Sequence, residues 1–148
     1  MTSREFVLDT LKSLGTAKAK EVQEKAPDMT GTELYAAENY VPEFNPARQY
    51  LNFSAGYVCR SAAGRLVKLI QPYDSTIYTG QPEELPAQWG FYWSTDPEKA
   101  LPFVALATSP YMTGDCCLNA AGEPKRSKID NNVWSPDTNP EYWEDVTA

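Results

Sequence analysis

The residues of this chain best suited to act on a ligand are its four tryptophans, Trp89, Trp93, Trp134 and Trp143, and the chemistry they offer is stacking. An exposed indole is a flat, polarisable, slightly negative platform for the C–H face of a pyranose, and a fully covered ring buries about 150 to 250 Å2. Bond-making chemistry has few carriers. The chain contains no histidine, which removes Ser-His-Asp and Cys-His catalysis, His-containing zinc sites and His-based pH switching together. Its 20 Asp and Glu residues make some close pairs inevitable, so Glu83 beside Glu84, or Glu141 near Glu144, does not mark the acid and nucleophile of a glycosidase. Cys59 or Cys117 as a nucleophile would lack a histidine base. The residues read as non-catalytic, with no cofactor and no metal.

Two of the tryptophans fall in an internal repeat. Phe53-Ser-Ala-Gly56-Tyr-Val-Cys59-Arg-Ser-Ala62-Ala63-Gly64 lies over Tyr111-Met-Thr-Gly114-Asp-Cys-Cys117-Leu-Asn-Ala120-Ala121-Gly122 without a gap, and downstream Trp93-Ser94-Thr95-Asp96 answers Trp134-Ser135-Pro136-Asp137. A duplicated small module favours surface binding, because repetition raises effective concentration. Gly64 to Trp93 spans 29 positions and Gly122 to Trp134 spans 12, so on this alignment the first copy carries about 17 extra residues, around Tyr73 to Pro86. A competing alignment pairs Pro86-x-x-Trp89 with Pro140-x-x-Trp143 and shortens the insertion to four residues. The Trp-Ser-x-Asp pairing is preferred because three of its residues agree. The aromatics assigned to the insertion, Tyr73, Tyr78, Trp89, Phe91 and Tyr92, read as a lid over a sugar site, a subunit contact or a local mini-core.

Thirteen basic against 20 acidic residues leave a net charge of −7, which phosphate backbones and anionic lipid surfaces repel. Nucleic acid and membrane insertion are therefore not expected, and no apolar stretch approaches the roughly 20 residues of a membrane span. The first residues, Met-Thr-Ser-Arg-Glu, lack the apolar region of a signal peptide. Three cysteines, an odd number, fit no disulfide framework and read as reduced, partly buried thiols, with a Cys59–Cys117 bridge left open. On a strand, Cys116 and Cys117 point to opposite faces, so at most one is expected to face a core.

The elements that must position these residues follow from local pattern. Residues 2 to about 26 read as helical: Thr2-x-x-Glu5 has capping-box spacing, Phe6, Val7, Leu11 and Leu14 make an apolar face, Gly15 breaks or kinks the segment, and Pro27 stops it. Thr30-x-x-Glu33 introduces a second short helix over Glu33 to Asn39. From Tyr50 the chain turns to short strands, with hairpins Tyr57–Arg60 to Leu66–Ile70 and Asp115–Leu118 to Lys125–Ile129, the first turn using Gly64 at positive φ. The fold class is α+β: a short N-terminal helical segment over 1–45, a divergent antiparallel β module with the aromatic insertion over 46–108, and a second small antiparallel β module over 109–148.

Copy two, with Tyr111-x-x-Gly114, a hairpin, Asn119-x-x-Gly122, Trp134-x-Pro136 and Pro140-x-x-Trp143, resembles the small chitin-binding modules of the carbohydrate-binding family 5/12 type over about 35 residues. It departs from that pattern at Cys116, at Lys125-Arg126 and, in copy one, in lacking an Asp after Gly56. The resemblance implies that Trp134 is the solvent-facing platform, that Trp93 is its equivalent, and that Trp143 lies nearer the core. Asn131, Asn132, Asp137 and Tyr142 complete the candidate carbohydrate site by their closeness in sequence to Trp134. The larger arrangement, with Thr-Gly-Thr-Glu-Leu-Tyr leading to Val41-Pro42-Glu43-Phe44, is similar to small proteins encoded among phage and prophage tail genes. What that implies is a tail or fibre protein, made in a host cytoplasm and carried in the virion. Its partners would be a polysaccharide or cell-surface glycan, other phage structural proteins, and further copies of itself through the N-terminal helix or the insertion. The alternatives are an assembly protein whose modules contact protein, and an inhibitor of a host factor or small ligand.

Overall fold

The computed structural model describes residues 16–146; the Thr2-x-x-Glu5 helix start, its apolar face and the Gly15 break lie outside the described residues. Residues 16–25 form α1, which tightens into a 3-10 turn, Ala26–Asp28, around Pro27. Helix α2, Gly31–Ala36, starts where its capping signal predicts. The Glu33 N–H donates to Thr30 Oγ1 (3.2 Å) and the Thr30 N–H to Glu33 Oε1 (3.1 Å), satisfying two otherwise orphaned donors. It ends before Asn39, and a 3-10 turn, Glu38–Tyr40, follows.

Six strands then build two three-stranded antiparallel sheets, so the fold is α+β with two small β modules. The first sheet orders β1 (Val58–Arg60), β2 (Leu66–Leu69) and β3 (Trp89–Phe91); the second orders β4 (Cys116–Leu118), β5 (Pro124–Ser127) and β6 (Trp143–Asp145). Their registers coincide: Cys59 faces Val67 and Leu69 faces Trp89, as Cys117 faces Lys125 and Ser127 faces Trp143. The hairpin turns close through Gly64 (φ 90°) and Gly122 (φ 78°), a left-handed conformation that costs glycine nothing.

This register overturns the preferred tryptophan alignment. Trp89 and Trp143 are the matched pair, each opening the third strand, and Trp93 lies beyond β3. The separation from Gly64 to Trp89 is 25 positions and from Gly122 to Trp143 is 21, so the copies differ by four residues. Trp89 and Phe91 accordingly belong to the third strand of the first sheet and not to an insertion. A second correction moves the leading aromatic: Tyr50, rather than Phe53, takes the place of Tyr111. Phe44 stacks on Tyr50 at 5.3 Å as Phe103 stacks on Tyr111 at 5.4 Å, and Trp89 meets both edge-on at 5.7 and 5.2 Å as Trp143 does at 6.0 and 5.4 Å. Three residues more separate Tyr50 from its following Gly56 than the ungapped alignment allows, and Phe53 packs outside, on Tyr50 and Tyr57.

Tyr50, Trp89, Tyr111 and Trp143 lie in one buried cluster with Tyr73, Phe91, Trp93 and Leu106, and Phe44 and Phe103 pack against it partly buried, so the two sheets share a core. Sharing is the physical solution for units too small to bury enough surface separately. The outer edges of β1 and β4 are covered in parallel ways. Gln23 of α1 pairs with both backbone polar groups of Val58 (2.9 and 2.6 Å), whereas Ser94 O accepts from the Cys116 N–H (2.8 Å). Segments 42–44 and 101–103 then continue along the strands at Arg60 and Leu118. Cys117 alone joins the core cluster, as its alternation with Cys116 implies, while Cys116 is buried on the opposite face beneath the 94–101 segment.

Helix α2 is pinned to the segment after β3. The Tyr35 hydroxyl donates to Tyr92 O (3.0 Å) and accepts from the Leu66 N–H (3.1 Å). At its first turn a Cβ on Gly31 would stand 2.0 Å from Trp93 O, a backbone atom that cannot swing aside. Gly31→Ala is therefore expected to cost about 1 to 3 kcal/mol, the usual price of forced overpacking, in contrast to the gain an Ala ordinarily brings inside a helix. Urea unfolding checks this; an unchanged midpoint would refute the close approach.

Candidate functional site

The β5–β6 loop holds the exposed tryptophan. Its turn is set by Ser135, whose Oγ accepts from the Asp137 N–H (3.1 Å) while its carbonyl accepts from the N–H groups of Thr138 (3.2 Å) and Asn139 (2.8 Å). Trp134 immediately precedes this turn. Asn132 Oδ1 accepts from its N–H (3.1 Å) and its carbonyl accepts from Trp143 Nε1–H (2.8 Å), so core side chains hold the backbone on both sides of the ring. The indole itself is 43% exposed and leans on Tyr142, with centroids 5.1 Å apart and planes at 45°. The result is a half-open aromatic face on a fixed backbone.

The other proposed residues divide by burial. Tyr142 supports the ring from the partly buried side and packs on the shared core. Asn132 is fully buried: Nδ2 donates to Ser127 Oγ (3.0 Å) and Tyr142 O (3.4 Å), and with Oδ1 on Trp134 it positions the platform without reaching solvent. Asn131 is exposed at φ 54°, a conformation Asn tolerates, with its N–H toward Met112 Sδ (3.4 Å). Asp137 is exposed, and its Oδ2 accepts from the Ala120 N–H (2.9 Å), tying the loop to the β4–β5 turn. Asp115 folds back onto the Met112 N–H (2.9 Å), and burial raises its carboxyl above the usual range.

Trp93 has no open face. It is 8% exposed, stacked on Tyr111 at 4.2 Å and beside Phe91 at 5.9 Å, and its Nε1–H donates to Ser109 O (2.9 Å). The residue of copy one that answers Trp134 is Tyr73. It precedes an equivalent turn, in which Asp74 Oδ1 accepts from the Thr76 N–H (2.9 Å) and Asp74 O from those of Ile77 (3.1 Å) and Tyr78 (3.0 Å). Tyr73 also meets the matched tryptophan, its hydroxyl accepting from Trp89 Nε1–H (3.0 Å). Ser94 after Trp93 closes the same side-chain turn on the Asp96 N–H (3.0 Å), so the turn residue alone does not find this pair; the carbonyl bonds of Asp74 and Ser135 do, where Ser94 O is instead bonded to Cys116.

The remaining chemistry-bearing groups are quiet. Cys59, Cys116 and Cys117 are free and buried; burial pushes the Cys59 and Cys117 thiols up to about 12, and burial also raises Cys116. A thiol held protonated at neutral pH is a poor nucleophile. A cavity of about 540 Å3 beside α2 contains Arg60 and Lys99, which are spent on Glu43 and Glu38, each at 3.3 Å. Among the described residues no three His, Cys, Asp or Glu side chains converge on a metal position, and no helix is long and apolar enough to cross a membrane. Comparison with protein-family models, curated proteins and solved structures found no match.

Proposed function

We propose that the chain is a non-catalytic glycan-binding protein that stacks a pyranose of a neutral polysaccharide on Trp134. The observation that carries this reading is an indole 43% exposed on a backbone anchored by Asn132 and Trp143. A ring held this way loses little conformational freedom on binding, and preorganisation is what makes a small contact area useful. Tyr142 extends the aromatic surface, and Asn131 and Asp137 supply polar groups at the loop surface. The net charge of −7 favours an uncharged polymer over an anionic one. A place in a phage tail or fibre, as the sequence arrangement implies, gives such a protein a cell-surface glycan as its target.

The test is retention on insoluble chitin and cellulose. Trp134→Ala is expected to weaken binding at least about tenfold, or about 1.4 kcal/mol, with thermal unfolding nearly unchanged because the ring is at the surface. Wild-type retention by the variant would overturn the reading. Assembly through protein contacts is the second reading, favoured by an open groove in which Tyr40, Val41, Pro42 and Tyr57 face Ala19 and Gln23 of α1. A stable oligomer whose formation covers Tyr40 would support it.

A further inference from the structure

We infer that copy one carries a second glycan contact at Tyr78 and Ile77, an inference that rests on the reading of Trp134 as a sugar platform. The matched sheet registers make the β2–β3 and β5–β6 loops equivalent, and the Asp74 and Ser135 turns make their tips equivalent. In copy two the ring before the turn is the exposed one. In copy one that ring, Tyr73, is drawn into the core: it stacks on Tyr50 at 5.8 Å, meets Trp89 edge-on at 6.0 Å and bonds its indole. Tyr78, at the far side of the same turn, packs its edge against Tyr73 at 6.4 Å and remains 49% exposed, with Ile77 beside it at 68%. Each copy thus presents one half-open aromatic from the same loop, backed by an anchored tyrosine, Tyr142 under Trp134 and Tyr73 under Tyr78.

The backbone of the second contact is held as firmly as the first. Asp74 Oδ1 accepts from Thr76 Oγ1–H (2.6 Å) and Gln49 Nε2–H (3.0 Å) besides the Thr76 N–H, and the Gln49 side chain also accepts from the Ser75 N–H (3.0 Å). The same set of bonds holds the Asp74 carboxyl below its ordinary range, and this loop, like that of Trp134 with Asp137, has an acidic residue in its turn. Both contacts therefore select a neutral pyranose polymer and disfavour an anionic one. A phenol gives a smaller stacking face than an indole, so the Tyr78 contact is the weaker of the two.

Calorimetric titration with chitin hexaose, with tryptophan fluorescence followed in parallel, tests this. Wild-type protein is expected to take up about two equivalents, and Trp134→Ala to retain the weaker one. Tyr78→Leu keeps Tyr73 covered while removing the flat ring; it is expected to bind one equivalent with the Trp134 fluorescence response intact. The double variant should bind none, and carboxymethyl cellulose should not compete. A single equivalent in wild-type protein, abolished by Trp134→Ala and unaffected by Tyr78→Leu, would overturn the second contact and leave the first standing. Absence of binding by wild-type protein to hexaose, chitin and cellulose would overturn both.

Discussion

Trp143→Ala and Trp89→Ala are each expected to lower stability by about 3 to 5 kcal/mol, the range for truncating a buried tryptophan. Both rings are buried, and each stands edge-on to a stacked Phe–Tyr pair, so truncation removes one side of a three-ring packing unit. Because the two units share one core, either variant should shift a single urea transition seen by both fluorescence and circular dichroism. Two separated transitions, or a wild-type midpoint for either variant, would refute the shared core. The phenylalanine variants separate stability from function. Trp143→Phe retains most of the apolar area but leaves Trp134 O without its donor, while Trp89→Phe leaves the Tyr73 hydroxyl without one. Each lost bond costs about 1 kcal/mol or somewhat more. Only Trp143→Phe should also weaken chitin binding, because only there does the bond hold the backbone of the exposed ring.

The parts of this architecture legible in sequence are those written in local chemistry. Thr30-x-x-Glu33 marks a capping box and a capping box forms; Gly64 ends a four-residue turn and adopts positive φ. The first hairpin follows from short apolar runs around its turn, and the second, whose return strand reads Pro-Lys-Arg-Ser, follows from its likeness to the first. What failed was the choice between two tryptophan pairings, and it failed because similarity of short words competes poorly with strand register. Trp-Ser-x-Asp matches three residues and closes the same Ser-turn in both places, Asp96 N–H on Ser94 Oγ and Asp137 N–H on Ser135 Oγ, yet the two turns lie at different places relative to the strands, whereas Trp89 and Trp143 share only a Pro three residues earlier and occupy the same place in the sheet. Register is a long-range property: it depends on Leu69 and Ser127 across the ladder, which neighbouring residues do not reveal. Trp93 illustrates the same limit. Its burial comes from Tyr111, eighteen residues on and in the other copy, and a sequence reading confined to one module could not supply that cover. Trp134, by contrast, has no such cover and is exposed.

Glu83→Ala is the second change expected to be severe. Arg65, 9% exposed in its side chain, reaches Glu83 Oε1 with Nη1 (3.3 Å) and Pro102 O with Nη2 (2.7 Å), and Ser61 Oγ–H donates to the same carboxylate oxygen (2.5 Å). The guanidinium therefore ties the first hairpin turn and the 81–84 segment to the 101–103 segment that runs along β4. Removing the carboxylate strands a buried cation with only a carbonyl for company, which costs about 3 kcal/mol or more. Glu83→Gln should cost less, because its amide oxygen can still accept from Ser61 and Arg65 while the charge is lost. Salt distinguishes this pair from a surface one. An exposed bridge such as Lys20–Glu24 is screened at high ionic strength, so its removal ceases to matter there, whereas the Glu83→Ala penalty should persist in 1 M sodium chloride, where solvent-exposed charges feel one another over only about 3 Å but buried ones are screened much less. Urea midpoints for the wild type and both variants at low and high salt provide the measurement. A penalty that vanishes in salt would mean that Arg65 is solvated and that the two copies are joined by the aromatic core alone.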